Sequence, residues 1–372
     1  MGYYGLGSVF LPGARAALTV LLCWCAPLQA QSKAPDTPAP REDLVGRLKV
    51  ASLHNEPVTA LARKNSVSIP SVLAANWGLD EILVQSREDI VLPTAHILPK
   101  GLRDGILINR AEFRLYYLKD GALIASVPIG IGIPGKETPL GKTFIVRKQK
   151  NPIWRPTPEA RREHPDWPIE LESGPFNPLG AYALYLGWPA YLIHGSNNDF
   201  GIGWPFTRGC IRLYADDMEN LYTVVPVDTR VEVVDQPVKF GWHADELFVE
   251  AHPDLSQLHE LRERQAFTMK KAEDMSAIIT KFAGARAADV DWAIVTAALE
   301  RRSGIPTQIT SLTSHPIDLG EPKIAMQGII ERAMRKTQNG FASGTVAKRT
   351  PEQQRAVEEM LKEQLRKDPY NI

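Results

Sequence analysis

Cysteine is scarce in this chain, and no excess of charge of either sign is present. Of 372 residues only Cys23, Cys25 and Cys210 are cysteines, so the disulfide framework of a small secreted domain is excluded. Lysine plus arginine and aspartate plus glutamate number 43 each, a balance that excludes the basic face of a nucleic-acid binder and any strongly charged surface partner. Past the first thirty residues no apolar run is long enough to cross a bilayer. Histidine in metal-ligand spacing is missing too. His54, His96, His164, His243, His252, His259 and His315 show no ligand pattern with one another or with Cys210, so neither a metal nor another cofactor is expected. Gly130, Gly132 and Gly135 match the letters G-x-G-x-x-G, but the β-rich Thr143-Phe144-Ile145-Val146 follows them instead of a helix. That segment reads as a turn, not a nucleotide loop.

What is there begins with a leader. Residues 16–25 are apolar and follow the lone cation Arg15, and a small-residue end at Ala30 with Leu28 two positions before it suits signal-peptidase cleavage. Residues 1–30 are therefore expected to be a signal peptide, leaving Cys210 as the one thiol of the exported protein. The membrane is met only through that leader if it is uncleaved. Residues 31–44 are polar and proline-rich, as a solvated linker is.

Cys210 lies sixteen positions after His194, and both are flanked by glycine, in His194-Gly195-Ser196 and Thr207-Arg208-Gly209-Cys210-Ile211-Arg212. A free thiol has a pKa near 8.5 and is mostly inert at neutral pH unless a base or a positive charge activates it. His194 can supply the base, Arg208 and Arg212 the charge, and the amides around Gly209 and Cys210 can face an oxyanion. Those parts describe acyl transfer.

Around this pair the chain reads as strands and turns: residues 105–132, Lys142–Lys148, 181–187, 189–195 and 227–235 are strand-like, with Lys119-Asp120-Gly121 a hairpin signal. Between Lys148 and Leu179 runs an irregular stretch with Trp154, Trp167 and seven prolines, of a length that serves as a lid or the wall of a peptide groove, or else as a surface insertion. Asp216-Asp217 reads as a helix cap. Residues 45–97 read β-α-α-β: a strand over Arg47–Leu53, helices over Pro57–Lys64 and Pro70–Asn76, and a strand over Asp89–Leu92. Beyond Pro253 helical spacing dominates, a Gly/Ser/Thr-rich break covers 338–352, and a last amphipathic helix covers Glu352–Arg366.

Two resemblances follow from these residues. Residues 60–76 resemble a LysM module, a peptidoglycan-binding fold, although Asn55-Glu56-Pro57-Val58 replaces its usual Gly-Asp-Thr-Leu opening; a spacer that packs on its neighbour is the alternative. Residues 106–117, Thr138–Phe144, Asn177–Gly180 and 193–213 resemble the YkuD-type L,D-transpeptidases, in the periplasmic Gram-negative branch that joins a LysM-like module to the catalytic domain. The resemblance implies a mainly β, sandwich-like catalytic domain over 98–253 (core about 104–235), preceded by the LysM-like module over 45–97; it does not cover 254–372, which the helical spacing alone marks as a helical, partly disordered extension, a partner-binding arm or a solvated tail. It implies Cys210 as nucleophile, His194 as base and the Gly195 carbonyl as orienter of the imidazole, with Ser196 beside it. Arg208, Gly209 and Cys210 amides would form the oxyanion hole, Thr207 would be a structural hydrogen-bonder, and Arg212 would hold a substrate carboxylate. Relatives often carry histidine where Arg208 stands, which leaves His194 as base and suggests a lowered thiol pKa.

The reaction so implied, in the periplasm, is attack on a peptidoglycan tetrapeptide stem with loss of terminal D-alanine. The acyl group passes to the diamino acid of another stem, giving a 3-3 cross-link, or to a lysine of an outer-membrane lipoprotein or β-barrel protein. Water as acceptor makes the protein an L,D-carboxypeptidase or a hydrolase releasing wall-linked protein, and a non-catalytic wall-binding scaffold is the remaining class.

Overall fold

The computed structural model describes residues 42–310, apart from 82 and 84, and residues 350–367. The expected leader, nearly all of the linker and most of the 338–352 break lie outside the described residues. The first described segment runs β1 (Leu44–Gly46), β2 (Lys49–Glu56), α1 (Val58–Lys64), α2 (Ile69–Ala75), β3 (Gln85–Leu92) and β4 (Ala95–Ile97). β2 and β3 pair antiparallel, and β1 pairs with β4. Ser68 caps α2 by accepting from the Ser71 amide, and Pro70 sits in the first turn, where its missing N–H costs nothing. The β-α-α-β order is thus present; β3 starts four residues before the strand expected from Asp89, because Gln85–Arg87 extend the pairing to Glu56.

The next segment contains β5 (Gly105–Asn109), β6 (Arg114–Lys119), β7 (Ala122–Pro128), β8 (Ile131–Gly132), β9 (Gly141–Lys150), α3 (Pro158–Glu163), β10 (Tyr182–Leu186), β11 (Leu192–His194), β12 (Pro205–Thr207), β13 (Ile211–Arg212), α4 (Ala215–Val224) and β14 (Arg230–Val234). Eight of these strands make one mixed sheet in the order β13-β11-β10-β9-β14-β5-β6-β7, while β8 pairs with β12 beside it. β5 is buried along its whole length, as a continuous apolar run predicts. Asp120 and Gly121 both take positive φ, the two-residue turn whose twist suits the β6–β7 hairpin. Asp216 and Asp217 occupy the first turn of α4, whose cap position is held by Tyr214, so they favour the helix through its dipole and not as the cap. Gly130–Gly135 is a short strand and a turn, without a following helix.

The third segment is not purely helical. β15 (Val238–His243) and β16 (Glu246–Ala251) form a hairpin, and α5 (Leu255–Arg264), α6 (Ser276–Ala283), α7 (Trp292–Arg301) and β17 (Thr307–Gln308) follow. β17 joins the edge of β16, and Phe240, Trp242, Leu247 and Val249 pack with Ile279, Val295 and Leu299 of the helices. The hairpin within 98–253 and the helices beyond it thus build one small core. A last helix, α8 (Pro351–Lys367), covers the expected amphipathic stretch.

All described residues lie in one compact unit. A single apolar cluster contains Val58, Leu61, Val67, Ile69 and Val72 of the first segment, Ile108, Phe113, Trp204 and Leu213 of the sheet domain, and Leu258, Leu261 and Phe267 of the third. Packing therefore continues across position 97/98. The reason is apolar surface: α1 buries Val58, Leu61 and Ala62, α2 buries every residue but Ser71, and two short two-stranded sheets are too little to cover both helices.

A buried polar cluster joins the same three segments. Lys239 Nζ lies 2.5 Å from Glu112 Oε2 and 3.0 Å from Glu250 Oε1, and His252 Nε2 lies 2.8 Å from Glu250. His96, Glu112 and Glu250 bring ligand-type atoms within 4.8 Å of one another, a grouping invisible in their sequence spacing. The Lys239 ammonium already lies against both carboxylates, so the cluster carries its own cation.

Candidate active site

Cys210 and His194 are carried by neighbouring strands at one edge of the large sheet. β11 runs parallel to β13 with Ile193 opposite Ile211 and His194 opposite Arg212, so the residue just before β13 is carried alongside the strand that ends in the histidine. Gly209 makes the approach possible. Its φ is +110°, and a Cβ there would lie 2.6 Å from the Tyr191 ring, so a side chain is excluded by both strain and space.

His194 is fully buried, and its Nδ1 lies 2.7 Å from the Gly195 carbonyl oxygen. A carbonyl only accepts, so Nδ1 carries the proton and Nε2 keeps its lone pair for base work. Burial, and then the charge of Arg212, push the His194 pKa down to about 3. Burial pushes the Cys210 thiol up to about 11. The resting pair is thus neutral thiol and neutral imidazole. The lowered thiol pKa expected from Arg208 is not what the fold produces, because Arg208 spends its charge elsewhere: it donates to Glu163 and lies 3.8 Å from Glu159. Lys136 reaches the same two carboxylates, at 2.6 and 3.3 Å. The Glu163 carboxyl, hydrogen-bonded first by Arg208 and then by Lys136, is held down to about 2.

Cys210 opens into a cleft of about 620 Å³ walled by Ile153, Trp154, Pro156, Thr157, Tyr185, Tyr191 and Arg208, within the range of sites for small organic or peptide ligands. The Pro- and Trp-rich stretch supplies much of this wall. Trp154 and Leu179 form a small core with Trp167 and Leu171. Asn177 Nδ2 fixes the stretch by donating to the carbonyls of Pro152, Leu171 and Glu172 at 2.9–3.2 Å.

Behind the thiol, Thr207 is fully buried; its hydroxyl donates to the Cys210 carbonyl at 2.6 Å and accepts from the Gly209 amide at 3.1 Å. One of the three amides expected to face an oxyanion is therefore already engaged, and those of Arg208 and Cys210 flank it. Ser196 Oγ accepts from the Asn198 amide at 2.9 Å, shaping the turn after the histidine. Arg212 is fully buried and donates to Asn197 Oδ1 at 3.2 Å. It is paired across the strands with His194 and is not among the residues that line the cleft. Two groups escaped the sequence reading. The sulfur lies 3.6 Å from the Ala190 carbonyl, a contact without a sequence signal. Thr138 Oγ1 bridges the Gly132 amide and the Gly209 carbonyl; it was visible only as the first letter of the Thr138–Phe144 landmark.

With this geometry in place the chain can be set beside known proteins. Residues 103–233 match the YkuD L,D-transpeptidase catalytic domain. The chain is 40% identical over 278 residues to the probable L,D-transpeptidase ErfK/SrfK of Salmonella typhimurium, covering 72% of this chain and 88% of that protein. It is 39% identical over 305 residues to its Escherichia coli counterpart, covering 78% and 96%. To the probable L,D-transpeptidase YbiS of Escherichia coli it is 34% identical over 276 residues, covering 72% and 88%.

Proposed function

The chain belongs to the YkuD L,D-transpeptidase family, and on that premise we propose that it is an exported enzyme acting on peptidoglycan tetrapeptide stems through an acyl-enzyme at Cys210. The observation that carries the residue roles is the Nδ1 contact of His194 with the Gly195 carbonyl, which leaves the Nε2 lone pair available as base on the strand that runs beside the one beginning just after Cys210.

His194 Nε2 takes the thiol proton as sulfur attacks the carbonyl at the L-centre of the stem's diamino acid. The oxyanion is met by the amides of Arg208 and Cys210, with Thr207 and Thr138 holding the Gly209 turn in shape. Collapse breaks the peptide bond, and the imidazolium returns its proton to the departing amine of D-alanine. An acceptor amine then attacks the thioester, gives up its proton to His194, and frees the thiol. Because the resting pair is neutral, proton transfer accompanies attack and no standing thiolate is needed.

The acceptor is a stem diamino acid or a lysine of an outer-membrane protein; with water the same acyl-enzyme gives hydrolysis. Residues 45–97 read as a wall-binding module of LysM type. Among the described residues no helix is long and apolar enough to cross a membrane. The deciding experiment is mass spectrometry of the full chain with purified tetrapeptide stems, with and without candidate amines. A mass gain at Cys210 equal to the stem less D-alanine supports the mechanism, the product identifies the acceptor, and turnover in Cys210→Ser overturns it.

A further inference from the structure

The loop between His194 and Cys210 is held from outside the matched catalytic domain. From α1, Arg63 Nη1 donates to Asp199 Oδ2 at 2.7 Å. From α5, the Arg262 guanidinium lies 5.0 Å from the Phe200 ring centroid and 4.3 Å from that of Trp204, and its Nε donates to Glu81 at 2.8 Å. The loop is also seated sterically on the first segment. Gly203 has φ +88°, and a Cβ there would lie 2.4 Å from Ser68 Cβ.

Both contacts lead to one residue. Asp199 shares its turn with Asn197, whose Oδ1 accepts from Arg212. Phe200 meets Phe206 edge to face at 5.4 Å, and the Arg212 guanidinium lies 5.4 Å from the Phe206 ring. Arg212 in turn is paired across the strands with His194 and lowers its pKa. This chain of half-buried aromatic and guanidinium contacts ends on the fully buried Arg212, whose packed surroundings do not deform freely.

We propose that Arg63 and Arg262 are positioning residues for the acyl-transfer reaction, setting Arg212 and through it His194 by clamping the 197–206 loop from the two flanking segments. The inference rests on the reading of Cys210 as nucleophile and His194 as base. It gives residues 45–97 and 254–267 a duty in catalysis separate from any contact with the cell wall.

The test uses the full chain and imipenem as acylating probe, followed by mass spectrometry and by stopped-flow kinetics that separate binding of the probe from the first-order acylation step. Arg63→Ala and Arg262→Gln are each expected to slow that step by about tenfold with binding unchanged, on the scale that small misplacements of reacting groups produce. The acid limb of the rate should move to higher pH, because a loosened Arg212 lowers the His194 pKa less. Arg63→Lys, which keeps a cation between Asp199 and Asp216, should recover most of the rate. Wild-type rates in Arg63→Ala, a loss confined to probe binding, an unmoved acid limb, or failure of Arg63→Lys to recover would each overturn the proposal. If Arg262→Gln unfolds, the half-exposed Arg63 decides alone. An absence of label at Cys210 in the unaltered protein would instead overturn the nucleophile assignment.

Discussion

Thr207 and Cys210 are tied through the backbone of the nucleophile itself: the threonine hydroxyl donates to the cysteine carbonyl at 2.6 Å while accepting from the Gly209 amide. The turn that presents the thiol is thus closed by a side chain three residues earlier. Thr207→Val should leave two buried backbone groups without their partner, a cost of about 1–3 kcal/mol each, and should slow acylation. Thr207→Ser should retain most of both. Denaturant midpoints and imipenem acylation rates measured on the two variants check this, and equal behaviour of valine and serine would contradict it.

Cys210→Ser is expected to fold and to gain no mass with imipenem, since a hydroxyl is far harder to deprotonate with one imidazole. His194→Ala should lower acylation by about 10²–10⁴-fold. Arg208→His should remain largely active, because Arg208 pairs with Glu163 and Glu159 and does not charge the thiol. Damage from Arg208→His equal to that from His194→Ala would reverse these assignments.

The thiol should titrate late. With Cys210 pushed up to about 11, alkylation by iodoacetamide should be slow at neutral pH and rise about tenfold per pH unit toward that value, as a thiolate-limited reaction does. A plateau near the ordinary 8.5 would contradict the raised pKa.

Stability should fall on acidification through the histidine range. Burial first, and then Arg212 and Arg114 respectively, hold His194 down to about 3 and His96 down to about 4, against 6.5 for an ordinary histidine. Folded-state values below the unfolded ones mean that the unfolded chain binds more protons in this window. Their contribution is complete above pH 6.5 and is lost as pH drops toward 3. Urea midpoints of the protein and of His194→Asn should converge as pH falls across that range; parallel curves would contradict the linkage.

Leu73 in α2 is 1% exposed, and Leu73→Ala should cost about 2–5 kcal/mol. Because α2 contributes to the same apolar cluster as the sheet, the temperature at which imipenem acylation is lost should drop together with the global melt. An unchanged acylation midpoint would show that residues 45–97 melt on their own.

Much of this was legible in the chain. Strands β5–β7 and β9–β11 follow from apolar and β-branched runs bounded by turn signals, the β6–β7 turn from Asp120-Gly121, and the His194–Cys210 pair from glycine-flanked motifs. The relation of Arg208 to Glu159 and Glu163 was not legible, since ion pairs across 45 residues have no local pattern. Arg212 looked like a cleft cation because its burial depends on Asn197 and Phe206, which only the folded loop brings to it. The shared core was hidden for a similar reason: the apolar faces of α1 and α2 announce that they must be covered, but not by what.

The place of β14 in the sheet bears on how the chain comes to be folded at all. β5, β6 and β7 make one half and β9, β10, β11 and β13 the other, and β14 alone lies between them, parallel to β5 and antiparallel to β9. It is also the last strand of that sheet to emerge during synthesis. Until residue 234 is available both halves present a bare inner edge, the sticky surface from which strands aggregate. Chains that stop short of Arg230 therefore have every other strand of the sheet but leave the inner edges of β5 and β9 unpaired, although the backbone links the two halves where Gly130 meets Arg212, so the exposure lasts until this one strand is made.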